Sequence, residues 1–161
     1  MKFCLAHRRE RQRGFSLVEL LIVIAIILII LSIALPQMNK SRRYAQEMKA
    51  VAEMGTIQKE EIQYYSEFNK YATLAQLGPP PSGGTEGPDA SGLIPASLAS
   101  GSSGGYNFTI TVTPGGYALS AVPKTFGSTG SRTFFSDESG VIRENRTQDP
   151  ATVNSPPIGS S

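Results

Sequence analysis

A stretch of about twenty uncharged residues near the amino terminus constrains this chain more than any other feature. From Leu20 to Asn39 no side chain is charged, and the part as far as Leu31 has no polar face. At about 1.5 Å per residue such a helix is roughly 30 Å long, which matches the hydrocarbon core of a bilayer. A helix that is apolar on every side is buried in a membrane or in a large assembly. The stretch therefore predicts a membrane-spanning helix.

The residues in front of this stretch are mostly basic, and a single carboxylate stands at its start. Five Lys and Arg residues precede it, and Glu19 comes directly before Leu20. A carboxylate beside a membrane-length segment is costly to bury, so it indicates a function and a partner for its charge. The leader charges favour a cytoplasmic amino terminus, although Lys40, Arg42 and Arg43 compete on the other flank.

An ordinary cleaved secretory signal fits this pattern poorly. Such a signal is cut after its apolar region, beside small residues, and the sequence that follows Leu31 offers no good site of that kind. The sharp small-residue boundary is Gly14, ahead of the apolar stretch. Cleavage there removes a basic leader, residues 1–14, and keeps the helix. An uncleaved signal anchor is the plain alternative.

The residues around Gly14 resemble the processing motif of type IV prepilins and of the pseudopilins of type II secretion. From Arg13 to Leu20 they read Arg-Gly-Phe-Ser-Leu-Val-Glu-Leu. In that family a membrane aspartyl peptidase cuts after the glycine and methylates the new amino terminus. The resemblance implies cleavage between Gly14 and Phe15, N-methylation of Phe15, and an assembly role for Glu19 at the fifth mature position. It extends through the attached helix, and the remaining chain resembles pilins in architecture only.

Charge pairing gives the motif a physical reason. Cleavage leaves an ammonium group on Phe15, four residues before Glu19, and helix positions i and i+4 share a face. Because either charge alone in lipid costs several kcal/mol, pairing is favoured. The pair forms within one subunit or between Glu19 and the Phe15 amine of a neighbour. The second arrangement sets an axial register in a helical filament of identical chains.

Pro36 is the second unusual residue of this helix. Proline inside a helix removes one backbone hydrogen bond and clashes with the preceding turn. Pro36 therefore either ends a membrane helix over residues 15–36 or kinks a continuous one. We expect the kink, because a helical pattern resumes at once.

Residues 37–77 have the periodicity of an amphipathic helix. Apolar and small residues recur at alternating steps of four and three, and charged residues occupy the other faces. We expect this stripe to pack against a sheet, and the helix to end before Leu77, with earlier fraying near Asn69. The stripe consists of Tyr44, Met48, Val51, Gly55, Gln58, Ile62 and Tyr65, widened by Ala45 and Ala52.

Residues 78–105 are rich in Gly, Pro and Ser and predict a long connecting loop. We expect Leu93, Ile94 and Leu98 to attach it to the core. Loops of this length in compact domains are usually functional or disordered. The resemblance implies that this one contributes subunit contacts, and a tolerated surface insertion is the alternative.

Residues 106–143 predict a three- or four-stranded antiparallel meander. Apolar and polar residues alternate strictly from Tyr106 to Thr113, and a Pro-Gly-Gly turn leads into the next strand. Residues 144–161 predict a polar, flexible tail. The expected fold class is therefore α+β, in which a long amino-terminal helix packs on a small antiparallel sheet, as in pilins.

Composition limits the chemistry of the predicted mature chain. The single cysteine, Cys4, and the single histidine, His7, both lie in the leader. Residues 15–161 thus offer no Cys/His zinc site, thiol nucleophile or Ser-His-Asp triad. We expect neither an enzyme nor a cofactor or metal site. The acidic turn over residues 137–140 is a weak calcium candidate, for which a solvated turn is the preferred interpretation.

Together these features predict a type IV pilin-like structural subunit. Ten Lys/Arg and twelve Asp/Glu follow Gly14, so the chain gives no direct signal for nucleic-acid binding. We expect a single-pass protein of the bacterial inner membrane with a cytoplasmic amino terminus. Its partners are prepilin peptidase, the pilus or secretion assembly machinery, and copies of itself in an extracellular filament that serves adhesion, motility or DNA uptake. The alternatives are a periplasmic type II secretion pseudopilin and an anchored minor pilin or adhesin that does not polymerise.

Overall fold

The computed structural model describes residues 15–82 and 84–160, and within them the α+β class predicted from the sequence is confirmed. These residues divide into two compact units, one that ends at Met38 and one that begins at Asn39. The elements are α1 (Leu17–Phe68), α2 (Leu74–Leu77), α3 (Ala96–Ala99), β1 (Ser102–Ser103), β2 (Tyr106–Thr113), β3 (Gly116–Pro123), β4 (Thr133–Asp137) and β5 (Arg143–Asn145).

The unit that ends at Met38 is helical from Leu17 onward. It contains a stretch long and apolar enough to cross a membrane, and none of that stretch is buried inside the structure. Its one serine beyond the first turn, Ser32, donates a 2.7 Å hydrogen bond to the carbonyl of Ile29, which satisfies the hydroxyl within the helix. The helix continues through position 36, so the proline does not terminate it. The kink at Pro36 stays a prediction.

The buried face of α1 is not the one predicted from the sequence. Of the predicted stripe, Tyr44 is 61% exposed, Ile62 is 70% exposed and Tyr65 is 43% exposed. The stripe that packs on the sheet lies one position earlier along the chain at each step. It consists of Glu47, Ala50, Met54, Ile57, Glu61 and Tyr64.

Two glutamates explain this error. The sequence argument places every charged residue on an outer face, which excludes any stripe that contains Glu47 or Glu61. Both side chains are nevertheless buried, at 4% and 0% exposure. A charged side chain enters a core only where it is paired or neutral. Arg132 and Ser131 bind Glu47, whereas Glu61 receives one amide bond and its burial favours the neutral form.

The sheet is a five-stranded meander in the order β1-β2-β3-β4-β5, and every neighbouring pair is antiparallel. The alternation predicted for β2 is confirmed at Tyr106 and Phe108, which are buried, while Asn107 and Thr109 are exposed. The hairpin register closes at the pair Thr113–Gly116. One strand more than predicted is present, because β1 pairs through its backbone and carries no apolar alternation that would reveal it.

The connection over residues 78–105 is attached to the core by both side chains and backbone. Ile94 and Leu98 are buried, as predicted, and Leu93 packs against the same cluster. The amide of Ile94 donates to the carbonyl of Leu77 at 3.0 Å, and the amide of Ser91 donates to that of Gln76 at 2.8 Å. The connection also contains α3 and β1, so part of it is regular structure.

The segment after β5 is hydrogen-bonded back onto the sheet. The amide of Glu144 donates to the Pro156 carbonyl at 2.9 Å, and the amide of Ile158 donates to the Ile142 carbonyl at 3.0 Å. Ala151 is 4% exposed. Polar residues can be held by such backbone bonds, for which composition gives no signal.

Candidate processing and assembly site

The start of α1 is built by reciprocal hydrogen bonds between Ser16 and the first helical turn. The Glu19 carboxylate accepts a 2.9 Å bond from the Ser16 backbone amide. The Ser16 hydroxyl oxygen accepts a 3.3 Å bond from the amide of Val18. The helix ladder begins with the Leu20 amide, which donates to the Ser16 carbonyl at 3.2 Å. The first two bonds satisfy the amides of Ser16 and Val18, which have no partner within the helix ladder.

This arrangement is a variant of the capping box. In a capping box a Ser or Thr cap bonds the third helical amide while a Glu three residues later bonds back to the cap amide. Here Glu19 makes the backward bond, and Ser16 reaches the second helical amide instead of the third. A carboxylate in the first turn is also favoured by the helix dipole. The Ser-x-x-Glu spacing of Ser16 and Glu19 is a sequence signature of a helix cap, and this cap was not predicted from the sequence.

Of the predicted charge pair, the structure shows the hydrogen bonding of Glu19 but not an ammonium group on Phe15. Phe15 is non-helical and 91% exposed, so nothing in the described part of the chain covers its side chain or backbone. Gly14, the predicted cleavage position, lies outside the described residues. The ion pair between Glu19 and a Phe15 ammonium, and the methylation of Phe15, stay predictions. Glu19 lies in the first turn of α1, four residues after Phe15 in the sequence.

The apolar surface next to this site has no cover within the described chain. Its Leu, Ile and Val side chains between Leu17 and Leu35 are 44–73% exposed. Monomeric soluble proteins rarely expose a continuous apolar surface of this size. The surface therefore requires lipid or other protein.

A charge cluster in the second unit attaches the carboxyl-terminal strands to α1. The guanidinium of Arg132 bridges two carboxylates: Nη2 lies 2.9 Å from Glu47 Oε2, and Nη1 lies 2.7 Å from Glu144 Oε2. Arg146 completes it with a 2.9 Å contact to Glu144. The backbone amide of Ser131 also donates to Glu47 at 2.7 Å. The side chains of Glu47, Arg132 and Glu144 are only 5–17% exposed.

The pKa values in this cluster follow from its contacts. Burial alone raises the pKa of Glu47, but hydrogen bonds from Ser131 and Arg132 and the charge of Arg132 outweigh it, and the pKa lies below its ordinary value. Burial likewise raises the pKa of Glu144, and bonds and charges from Arg132 and Arg146 bring it below the ordinary value. Both carboxylates are therefore ionised near neutral pH.

Glu61 is buried under different conditions. One carboxylate oxygen, Oε2, accepts a 3.0 Å bond from the amide of Ala72, and the other has no hydrogen-bond partner among the described residues. No Lys or Arg in the described part of the chain forms an ion pair with it. Burial therefore raises its pKa to about 7, and the Ala72 bond only partly opposes this. The bond ties α1 to the segment that leads into α2.

The weak calcium candidate, Asp137 to Gly140, forms a hydrogen-bonded turn. Asp137 accepts a 3.0 Å bond from the Ser139 amide, and its carbonyl accepts a 3.0 Å bond from Gly140. Among the described residues no group of three or more acidic, His or Cys side chains is placed to hold a metal ion. The Asp137 carboxylate thus accepts a hydrogen bond from the backbone of its own turn.

The amino-terminal part of the chain matches a known family model. Residues 9–35 match the family described as the prokaryotic N-terminal methylation motif. The match covers the predicted cleavage position, Phe15, Glu19 and most of the apolar stretch.

Comparison with known proteins gives partial matches. The chain is 30% identical over 69 residues to the type II secretion system core protein G of Aeromonas hydrophila, which covers 43% of this chain and 48% of that protein. It is 30% identical over 67 residues to the protein of the same name in Dickeya chrysanthemi, covering 42% and 44%. It is 34% identical over 65 residues to the type IV major pilin protein PilA of Myxococcus xanthus, covering 40% and 30%.

The chain thus spans about half the length, or less, of the curated relatives it matches. No solved structure matches it. The family-model match is confined to residues 9–35, the amino-terminal part of the chain.

Proposed function

We propose that this chain is the structural subunit of a type IV pilus-like surface filament. The observation that carries the proposal is the uncovered, membrane-length apolar helix that begins beside one carboxylate, Glu19. A helix whose apolar side chains contact nothing in their own chain needs lipid or other copies of itself. The methylation-motif match and the similarity to a type IV major pilin support this function.

In this proposal the chain passes through two environments. Prepilin peptidase cuts between Gly14 and Phe15, and Phe15 is N-methylated. The helix then holds the chain in the bacterial inner membrane as a single-pass protein with a cytoplasmic amino terminus. The pilus assembly machinery transfers it into a homo-oligomeric filament, where neighbouring helices replace lipid. The subunit acts as a structural protein and not as an enzyme.

Glu19 has two possible roles in this scheme, and they predict different mutant behaviour. If the carboxylate pairs with the Phe15 ammonium, its charge is essential, because an isolated charge in an apolar environment costs several kcal/mol. If it only caps the helix, an uncharged acceptor suffices, and losing a cap costs about 1 kcal/mol. We propose that the charge pair is the dominant role in assembly.

The test replaces Glu19 by Gln, which keeps an oxygen for the Ser16 amide but removes the charge, and by Leu, which removes both. Ser16→Ala is the matched control, since it weakens the cap and leaves the charge. Filaments are sheared from cells that carry each variant, and their yield is compared with the amount of the chain in the membrane. We expect both Glu19 variants to lower filament yield at least tenfold, and Ser16→Ala to retain most of it. Normal filaments from Glu19→Leu would contradict the proposal.

The second candidate function is a pseudopilin of a type II secretion system, and the similarity to two type II secretion core proteins G favours it. The two functions differ in where the polymer accumulates. Long fibres released by shear indicate a pilin, whereas a chain that remains in the envelope indicates a pseudopilin or an anchored minor subunit. The surface role of a pilus, whether adhesion, motility or DNA uptake, is assigned by deleting the gene and assaying each process.

A further inference from the structure

A basic pocket lies in the unit that begins at Asn39. One wall is the start of that unit's part of α1, with Lys40, Arg42 and Arg43, and the other is the β3–β4 loop at residues 127–129. Its volume of about 490 Å³ falls within the range of about 300–1,000 Å³ that small-molecule sites occupy. Neither the charge cluster nor the processing site uses this pocket.

The positive charge of the pocket is uncompensated. No ion pair among the described residues involves Lys40, Arg42 or Arg43, and no carboxylate lines the pocket. The nearest acidic residue along this part of the helix, Glu47, is occupied by Ser131 and Arg132. Uncompensated cations in a concave, otherwise polar site attract an anion.

The loop wall of the pocket is held in place before any ligand binds. Arg43 Nη1 donates a 2.9 Å bond to the Gly127 carbonyl, which joins the loop to the helix. Within the loop, the Thr129 amide donates to the Thr125 carbonyl at 2.9 Å, and the Thr125 amide donates to Thr129 Oγ1 at 3.1 Å. Gly127 has a φ of +83°, which favours glycine at this turn. Such preorganisation lowers the entropy cost of binding.

The sequence position of the pocket identifies the anion. Its cations come within five residues of Met38, directly after the apolar stretch, where a helix that leaves the hydrocarbon enters the phosphate layer of the bilayer. Tyr44, which follows Arg43, is 61% exposed, and exposed tyrosines are enriched at this depth in membrane proteins. Basic residues on this flank also oppose the orientation favoured by the leader, so their presence calls for a reason.

We propose that this pocket binds the phosphate group of an anionic phospholipid in the leaflet opposite the leader. The inference rests on the membrane insertion that the proposed function requires. Lys40 and Arg42 supply charge, and Arg43 supplies a planar fork of donors suited to phosphate oxygens. The backbone of a nucleic acid carries the same group, but the neighbouring apolar stretch and Tyr44 favour lipid.

The experiment measures lipid retention by native mass spectrometry on the full chain in a neutral detergent. The chain is incubated with phosphatidylglycerol, which is anionic, or phosphatidylcholine, which is zwitterionic. Lys40→Gln with Arg42→Gln removes two pocket charges, and Lys59→Gln with Lys70→Gln removes two exposed charges elsewhere as the matched control. The basic leader also attracts anionic lipid in every variant. The quantity compared is therefore the difference in lipid retention between the pocket variant and the control variant.

We expect phosphatidylglycerol to bind the wild type and the control variant about equally. The pocket variant should bind it about thirty-fold more weakly, the effect expected for two basic residues at an anionic surface. Arg43→Lys, which keeps the charge but loses the fork, should give an intermediate loss. Equal binding by the pocket and control variants would overturn the proposal.

Two further arms separate the other sources of phosphate. If inorganic phosphate is retained and phosphatidylglycerol is not, or if an oligonucleotide is retained in preference to phosphatidylglycerol, the lipid assignment is wrong. Alkaline carbonate extraction of cell membranes tests the premise separately. A chain that stays in the membrane but shows no lipid preference overturns this inference alone, whereas a chain that is extracted overturns the proposed function.

Discussion

Glu47 and Glu61 lie on the same buried face of α1 and are accommodated in opposite ways. Glu47 meets the guanidinium of Arg132 and two donors of Ser131, which keep it ionised. Glu61 has one amide donor and no cation, so it holds its proton to higher pH than an exposed glutamate. The sequence around Glu47 and Glu61 does not distinguish them, because the residues that contact their carboxyl groups, Arg132 and Ala72, are not neighbours in the sequence.

Glu19 differs from these two residues because the sequence alone reveals it. A single carboxylate at the edge of a long uncharged stretch is unusual wherever the chain folds. Glu47 and Glu61, by contrast, sit among many charged residues of an amphipathic helix, where an outward orientation is the ordinary expectation. Only the structure identifies them, through the Arg132 cluster and the Ala72 amide.

Replacing Glu61 by Gln should remove a pH dependence of stability. The folded pKa of about 7 lies above the ordinary 4.5. As pH rises, the unfolded chain loses this proton at lower pH than the folded chain does. The free energy of unfolding therefore falls between about pH 4.5 and about pH 7. The loss is on the order of 3 kcal/mol. Urea unfolding of the full chain in detergent, followed by the near-ultraviolet circular dichroism of its six tyrosines, should show wild type weaker at pH 8 than at pH 5 and Glu61→Gln nearly constant.

The matched control for Glu61 is Glu67→Gln, an exposed carboxylate on the same helix. It should keep the wild-type pH dependence. Glu47 and Glu144 do not interfere in this range, because their lowered pKa values confine their loss of stability to more acidic solution. If Glu61→Gln and wild type lose the same stability between pH 5 and pH 8, the assignment of the raised pKa to Glu61 is wrong.

Replacing Arg132 by Ala should be among the most destabilising single changes in this unit. It leaves the buried carboxylate of Glu47 without a cation and Glu144 with only the largely exposed Arg146, and breaking a buried pair in this way costs about 3–5 kcal/mol. Arg132→Lys should cost less, since it keeps the charge and loses the forked contact. The free energy of unfolding at pH 7 measures both, with the exposed Lys124→Ala as control. Equal stability of Arg132→Ala and the control would show that the cluster contributes nothing.

At the scale of elements, strands were easier to predict than the orientation of the helix. The alternation from Tyr106 to Thr113 predicts the bounds of β2, because a strand has only two faces. Its buried face is confirmed at Tyr106 and Phe108, whereas Val112 at the far end is 40% exposed. In a helix each side chain is rotated by about 100° from the one before, so several faces could be the buried one. Along α1 two stripes of residues with suitable spacing lie side by side. The ion pair of Glu47 with Arg132 and the raised pKa of Glu61 let these two carboxyl groups occupy the buried stripe.

Truncations on the two stripes of α1 test this orientation directly. Met54→Ala removes a side chain that is 0% exposed and should destabilise the unit by about 2–5 kcal/mol. Ile62→Ala removes a side chain that is 70% exposed and should change stability by no more than about 0.5 kcal/mol. Both are measured by denaturant unfolding at constant pH. A larger loss from Ile62→Ala than from Met54→Ala would restore the stripe predicted from the sequence.

The strand β1 and the pairing of the segment after β5 were not predicted from the sequence, for a different reason. Neither β1 nor the segment after β5 carries a hydrophobic pattern, and both are held largely by backbone hydrogen bonds. Every residue except proline offers the same backbone donor and acceptor. Such pairings depend on which strand edges the finished sheet leaves open, and this is known only once β2 to β5 are in place.

At the scale of the whole molecule, the chain combines an apolar helix that its own described residues leave uncovered with a unit that has its own core. The apolar helix of the first part was predictable from composition, because a membrane-length stretch has few possible environments, whereas its Ser16–Glu19 cap was missed. The second was predictable as a class of architecture only. The filament function proposed here follows from the first part.

The central claim is that processing exposes an ammonium on Phe15 for the carboxylate of Glu19. Mass spectrometry of the amino-terminal peptide, from chain purified out of its native envelope or filaments, tests this most directly. The account predicts a chain that begins at Phe15 and carries one N-methyl group. Recovery of normal filaments built from chains that still carry residues 1–14 would contradict it.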